Sequence, residues 1–130
     1  MKKADVLLAA RRSAERRGRR SEFLAIALLL LKGYRIVARR LRTPLGEIDL
    51  IARSPSGLIC FIEVKARAQT LSAAQSLSAR QKARIGRAAM QYLAQRPKLA
   101  RKGVRFDIVA VAPGRWPRHY RDAWRNEDTR

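Results

Sequence analysis

Asp49, Glu63 and Lys65 are the residues with which this sequence could do chemistry. Asp49 and Glu63 stand on either side of the turn-forming segment Ser54-Pro55-Ser56-Gly57. In a hairpin the period-two geometry of extended chain sets them side by side on one face, with Lys65 two residues further along that face. Two opposed carboxylates repel unless a cation lies between them. Mg2+ or Mn2+ suits such a place, being a hard ion that takes one or two carboxylates and completes its shell with water and phosphate. The ion would polarise a phosphodiester and lower the pKa of bound water, while the lysine orients water or offsets charge on the phosphate. Glu47 shares the face of Asp49 and is a secondary acid, either near such a site or paired with Arg42. The plain alternative is a solvated hairpin face, and the bare Asp-x13-Glu-x-Lys spacing does not decide between the two.

The elements that must position these residues are legible from periodicity and turn chemistry. Residues 1–20 are basic and Ala-rich, either an arm or an extension of the first helix. Ser21 to Lys32 reads as a buried helix ended by Gly33, and Tyr34 to Leu41 as a strand followed by the turn Thr43-Pro44-Leu45-Gly46. On the next strand Glu47, Asp49 and Ile51 are expected to face one way, and Ile48, Leu50 and Ala52 the other. Leu58 to Ala66 follows, with Phe61, Glu63 and Lys65 opposite Cys60, Ile62 and Val64. Ser78 caps a helix to about Gln95 whose core stripe is Ile85, Ala88, Ala89, Tyr92 and Leu93. Gly103 to Val111 is a last strand, and the remainder reads as an irregular tail. The order predicts an α/β (α+β) domain over 21–112, a central mixed sheet flanked by helices, with a basic aromatic tail at 113–130.

Thirty Lys and Arg against ten Asp and Glu give a formal charge of +20. Such an excess calls for a polyanion, and DNA or RNA is the obvious one. Arg16, Arg19, Arg20, Arg39, Arg42, Arg67 and Arg84 are candidates to hold a phosphate backbone without reading sequence. In the tail, Arg115-Trp116-Pro117-Arg118-His119-Tyr120-Arg121 either stacks on unpaired bases or straps Trp116 and Trp124 against the domain. One cysteine and one histidine leave almost no material for a zinc site, and Cys60 reads as a buried thiol in a reducing cytoplasmic compartment. The longest apolar run, Phe23 to Leu31, is nine residues, less than half of the roughly 20 needed to cross a bilayer. No membrane association is expected.

The stretch GEIDLIARSPSGLICFIEVKAR, residues 46–67, resembles the YraN-type family of bacterial proteins. KGYRIVARRLRTP, GRRSEFLA and RFDIVAV extend the resemblance over most of the chain. Members of that family look like diverged PD-(D/E)xK nucleases, similar in core to Holliday-junction resolvases. The resemblance implies a restriction-endonuclease-like core and Mg2+- or Mn2+-dependent cleavage of DNA, with structure selectivity. By motif position it gives Asp49 and Glu63 as the metal-binding acids, Lys65 as the motif lysine, the Val64 carbonyl as a further ligand and Glu22 as a helical acid completing the site. Read from the residues alone, Glu22 is either a first-turn charge favoured by the helix dipole or a buried functional carboxylate. Gln81 and Lys82 lie where related nucleases place a polar contact to the site, or on an ordinary basic helix surface beside Arg80, Arg84 and Arg87. Ile48 stands where the name-giving pattern has proline, and Ser21 where glycine is common. A homodimer is implied too, with no seam legible in the sequence. The rival reading is a nucleic-acid-binding module that keeps the fold without turnover.

Overall fold

The computed structural model describes residues 2–66 and 77–125, the side chains of residues 9–17 excepted. Arg67 and the side chain of Arg16 therefore lie outside the described residues. The chain order is α1 (Lys3–Leu31), β1 (Arg35–Thr43), β2 (Gly46–Arg53), β3 (Ile59–Lys65), α2 (Ala79–Ala94), β4 (Val104–Ala110) and β5 (Arg118–Trp124). The first helix does not begin at Ser21 but runs back through the basic segment, whose Ala, Leu, Arg and Glu are all strong helix formers uninterrupted by proline. It stops at Gly33, whose φ of 87° is open to glycine at little cost. There the Tyr34 N–H donates to the Leu29 carbonyl and the Gly33 N–H to that of Leu30.

The five strands form one mixed sheet in sequential order, parallel between β3 and β4 and antiparallel elsewhere. Each face is covered by one helix. Leu50, Ala52, Cys60, Ile62 and Val109 bury against Ala25 and Leu29 of α1. Ile48, Ile51, Ile59, Phe61, Phe106 and Ile108 bury against Ile85, Ala88, Ala89 and Tyr92 of α2. Leu93, expected in that stripe, is only half-buried beside it. Helix α2 starts on a reciprocal capping box, the Ser78 hydroxyl accepting from the Gln81 N–H and the Gln81 amide oxygen from the Ser78 N–H. Burial pushes the Cys60 thiol up to about 12, in keeping with an inert core group.

Two expectations are corrected here. The segment after Val111 is not irregular throughout, because β5 adds a fifth strand beside β4 and buries Trp124 against Phe106. Trp124 is thus the strap of the two tail tryptophans, while Trp116 stays 82% exposed. The regular alternation expected along β2 fails as well. Ile48 and Ile51 share the α2 side while Leu50 lies on the α1 side, and Asp49 lines a cavity with Ser21 and Glu22 of α1. Adjacent residues Asp49 and Leu50 thus both turn towards α1. The partner strand breaks at the matching position: Ala38 and Leu41 both pack on the α2 side, and Arg40 between them has a φ of 48°.

Candidate functional site

The break in β2 is where the candidate chemistry sits. Pairing of β2 with β3 ends at Leu50↔Ile62, so beyond it the edge of β3 has no ladder partner. The Asp49 carboxylate fills that place, its Oδ2 accepting from the Val64 N–H at 2.8 Å. In an extended strand the N–H and C=O of one residue point to the same side. The Val64 carbonyl therefore also faces the gap beside Asp49, whereas the Lys65 carbonyl turns to the other neighbour and accepts from the Val111 N–H at 2.7 Å.

Glu63 is the second acid. Its carboxyl lies beside that of Asp49, close enough for a hydrogen bond when one of the two is protonated. Burial, the Asp49 charge and that hydrogen bond hold Glu63 well above the usual carboxylate range, against the opposing pull of Lys65. Burial raises Asp49 too, opposed by the Val64 N–H and by Glu63. Strand alternation puts Lys65 on the Glu63 side, half-buried. Neither Glu63 nor Lys65 lines the cavity on the α1 side, so Asp49 alone bridges that cavity and the acid-lysine face.

That cavity, about 370 Å³, is walled by α1 (Arg19, Ser21, Glu22), β1 and β2 (Arg40, Arg42, Glu47, Asp49) and β3 (Val64, with Ala66 just beyond). Glu22 is buried mid-helix and already neutralised: Arg40 Nε donates to its carboxylate at 2.7 Å and Arg39 Nε at 3.4 Å. The left-handed backbone at Arg40 aims this guanidinium, a strain of about 1–2 kcal/mol for a non-glycine residue. Arg40 was not among the expected site residues, because no sequence signal marks a left-handed residue within a strand. Gln81 spends its side chain on the helix cap, and Lys82 is half-buried on α2. Arg84 packs against the β1–β2 turn, within 3.4–3.6 Å of where a Cβ on Gly46 would lie. Of the expected basic residues, Arg19 and Arg42 line the cavity and Arg39 reaches Glu22, with Arg20 one step along the same helix.

The donor set can be tested against the metal that the motif implies. Among the described residues no three of His, Cys, Asp and Glu gather as a ready-made cage. Two carboxylates and the Val64 carbonyl are hard oxygen donors, enough for an ion that keeps water and phosphate in its shell. A half-buried acid pair in which one charge opposes the ionisation of the other is an arrangement a divalent cation would relieve. The residues fit the group, with Glu22 as a wall rather than a free ligand.

Asp107, to which the sequence assigned no role, is wholly buried on β4. Arg105 grips both its oxygens at 2.8 Å, His119 Nε2 lies 2.8 Å from Oδ2, and the Asp122 N–H donates to Oδ1 at 3.0 Å. Tyr34 accepts from Arg105, and Lys32 Nζ lies 2.6 Å from His119 Nδ1. These contacts knit β5 and the end of α1 to β4.

Comparison with known proteins places the chain. The family model described as Uncharacterised protein family UPF0102 matches residues 21–111. A UPF0102 protein of Parvibaculum lavamentivorans is 52% identical over 113 residues, 87% of this chain and 84% of its own. One of Maricaulis maris is 53% identical over 115 residues, 88% and 90% of the two chains. One of Agrobacterium fabrum is 54% identical over 114 residues, 88% and 93% of the two chains. With its helix-flanked mixed sheet and its broken second strand, the chain belongs to the UPF0102 family.

Proposed function

We propose that the chain is a divalent-metal-dependent nuclease with a restriction-endonuclease-like core, hydrolysing phosphodiester bonds in DNA held by its backbone. The observation that carries this reading is the Asp49–Glu63 acid pair at the broken edge of β3, beside the Val64 carbonyl and within reach of the Lys65 charge. A structural surface gains nothing from two half-buried carboxyls that stand against each other. A perturbed acid pair with one member, Asp49, opening on a cavity is a mark of a working site.

Asp49, Glu63 and the Val64 carbonyl would hold Mg2+ or Mn2+, which supplies Lewis acidity and an acidified water. The Val64 N–H fixes the Asp49 carboxylate in rotation, so one oxygen is spent on the backbone and the other is left to the ion and Glu63. Lys65 supplies positive charge on the Glu63 side, where it orients water and offsets charge building on the phosphate. Glu22 holds Arg40 in place, and Arg19, Arg40 and Arg42 offset the wall's three carboxylates, Glu22, Glu47 and Asp49, so that a bound divalent cation would tip the wall positive and let it admit a phosphodiester backbone. Nothing in the wall is a compact reader of base edges.

Mg2+-dependent cleavage of linear duplex, single-stranded and four-way-junction DNA by wild type, Asp49→Ala and Lys65→Ala tests the reading. The expected result is cleavage by wild type and a loss of at least about a hundredfold in both variants. Cleavage that survives both substitutions, or Mn2+ binding by calorimetry that Asp49→Ala leaves unchanged, overturns it. Tight binding by wild type with no cleavage of any substrate favours the non-catalytic module.

A further inference from the structure

A second and larger cavity, about 690 Å³, opens beside the acid site and shares Ser21 and Ala66 with its wall. One side is the α1 stripe Leu24, Ala27, Leu28 and Leu31; the other is the segment from Val111 to Pro117 that leads into β5. The floor is apolar, and Leu31 is 78% exposed and Trp116 82% exposed. Exposed apolar side chains gathered in a groove mark a binding place. Arg20 and Arg115 stand in the same wall, so the apolar floor carries cations at its rim.

On the strength of the nuclease reading above, we infer that this groove receives an unpaired nucleobase, stacked on Trp116, while Arg20 and Arg115 hold the phosphates that lead from it to the acid site. The chemistry favours this occupant over others. An indole beside guanidinium groups is how proteins hold single-stranded nucleic acid without reading its sequence, because every base offers a π face. A second copy of the chain would bring another +20 against the first. The shared wall at Ser21 and Ala66 makes the groove continuous with the place where a phosphodiester would lie. The substrate class that follows is a strand with an unpaired stretch next to the scissile phosphate: a flap, an overhang or an open branch.

Fluorescence anisotropy in EDTA, where no cleavage intervenes, compares a labelled single strand with a blunt duplex of equal length. Trp116→Ala is expected to weaken single-strand binding about tenfold and duplex binding by less than twofold, with Trp116→Phe restoring most of the loss. Equal loss on both ligands, or no loss on either, overturns the inference. So does a Trp116-dependent dimer in sedimentation, or Trp116-dependent binding to anionic lipid vesicles without an effect on the single strand. The two readings fail separately. Single-strand preference through Trp116 with no Mg2+-dependent cleavage keeps the groove and removes the nuclease, whereas cleavage by wild type with Trp116 irrelevant does the reverse.

Discussion

A carboxyl pair in a half-dry gap titrates as a unit, and its proton is the chain's own substitute for a cation. Folding therefore takes up protons here. The folded chain keeps a proton on the pair where the unfolded chain has lost it, so stability falls as pH rises between the ordinary glutamate value of 4.5 and about 9. Glu63→Gln removes that titration. It is expected to raise the stability of the metal-free protein at pH 8 by at least about 1.4 kcal/mol, the worth of one pKa unit, and to leave it unchanged near pH 4. Thermal melts across that range in EDTA check this. An unaltered pH slope in Glu63→Gln would mean that the two carboxyls do not share a proton. Mg2+ or Mn2+ should flatten the wild-type slope by taking the proton's place. The hairpin register, Leu50 opposite Ile62, brings Asp49 level with Glu63 as sequence patterning expected, but not onto the one face expected for Asp49, Glu63 and Lys65. What sequence could not supply was the direction of Asp49, which is set by a single hydrogen bond to the Val64 N–H.

At the level of elements, patterning identified the helices and four of the strands, since each has a period, a cap or a turn of its own. Two features escaped because they depend on partners distant in sequence. The paired break at Arg40 and Asp49 needs Glu22 of α1 to receive the guanidinium and β3 to receive the carboxylate. Strand β5 needs Asp107: RHYRDAW has no β-branched residue, and it is held where the buried carboxylate meets His119 and the Asp122 backbone, itself at a φ of 53°. Burial would push Asp107 up, yet its bonds from His119, Arg105 and the Asp122 N–H hold it below the ordinary aspartate value. Its contribution is thus present above the unfolded pKa and lost as pH falls through the folded one, opposite in sign to that of the acid pair. Asp107→Ala strands the Arg105 guanidinium, whose side chain is only 15% exposed, and is expected to cost about 3–5 kcal/mol. Asp107→Asn, which keeps an acceptor for Arg105, should cost less. Urea unfolding measures both, and a cost under 1 kcal/mol for Asp107→Ala would show that β5 docks by Trp124 alone.

Across the whole molecule, only part of the +20 charge stands near the acids. Arg19, Arg40 and Arg42 belong to the site wall, while Arg84, on α2, packs against the β1–β2 turn. Among the described residues no helix is long and apolar enough to cross a membrane. For the nucleic-acid backbone proposed as the chain's partner, Lys and Arg would displace the counterions condensed on the phosphates. Affinity should then fall steeply with salt, by about 0.9 in the slope of log K against log salt for each phosphate neutralised on duplex DNA. Arg42→Ala is expected to lower that slope by about 1 and to weaken binding alike for every sequence and for paired or unpaired strands. Trp116→Ala should leave the slope unchanged, because a stacked base releases no counterion. Titrations at several salt concentrations with both variants separate the two contributions. An Arg42→Ala slope equal to that of wild type would mean that phosphate does not enter the wall beside Asp49, and that the charge acts elsewhere on the surface.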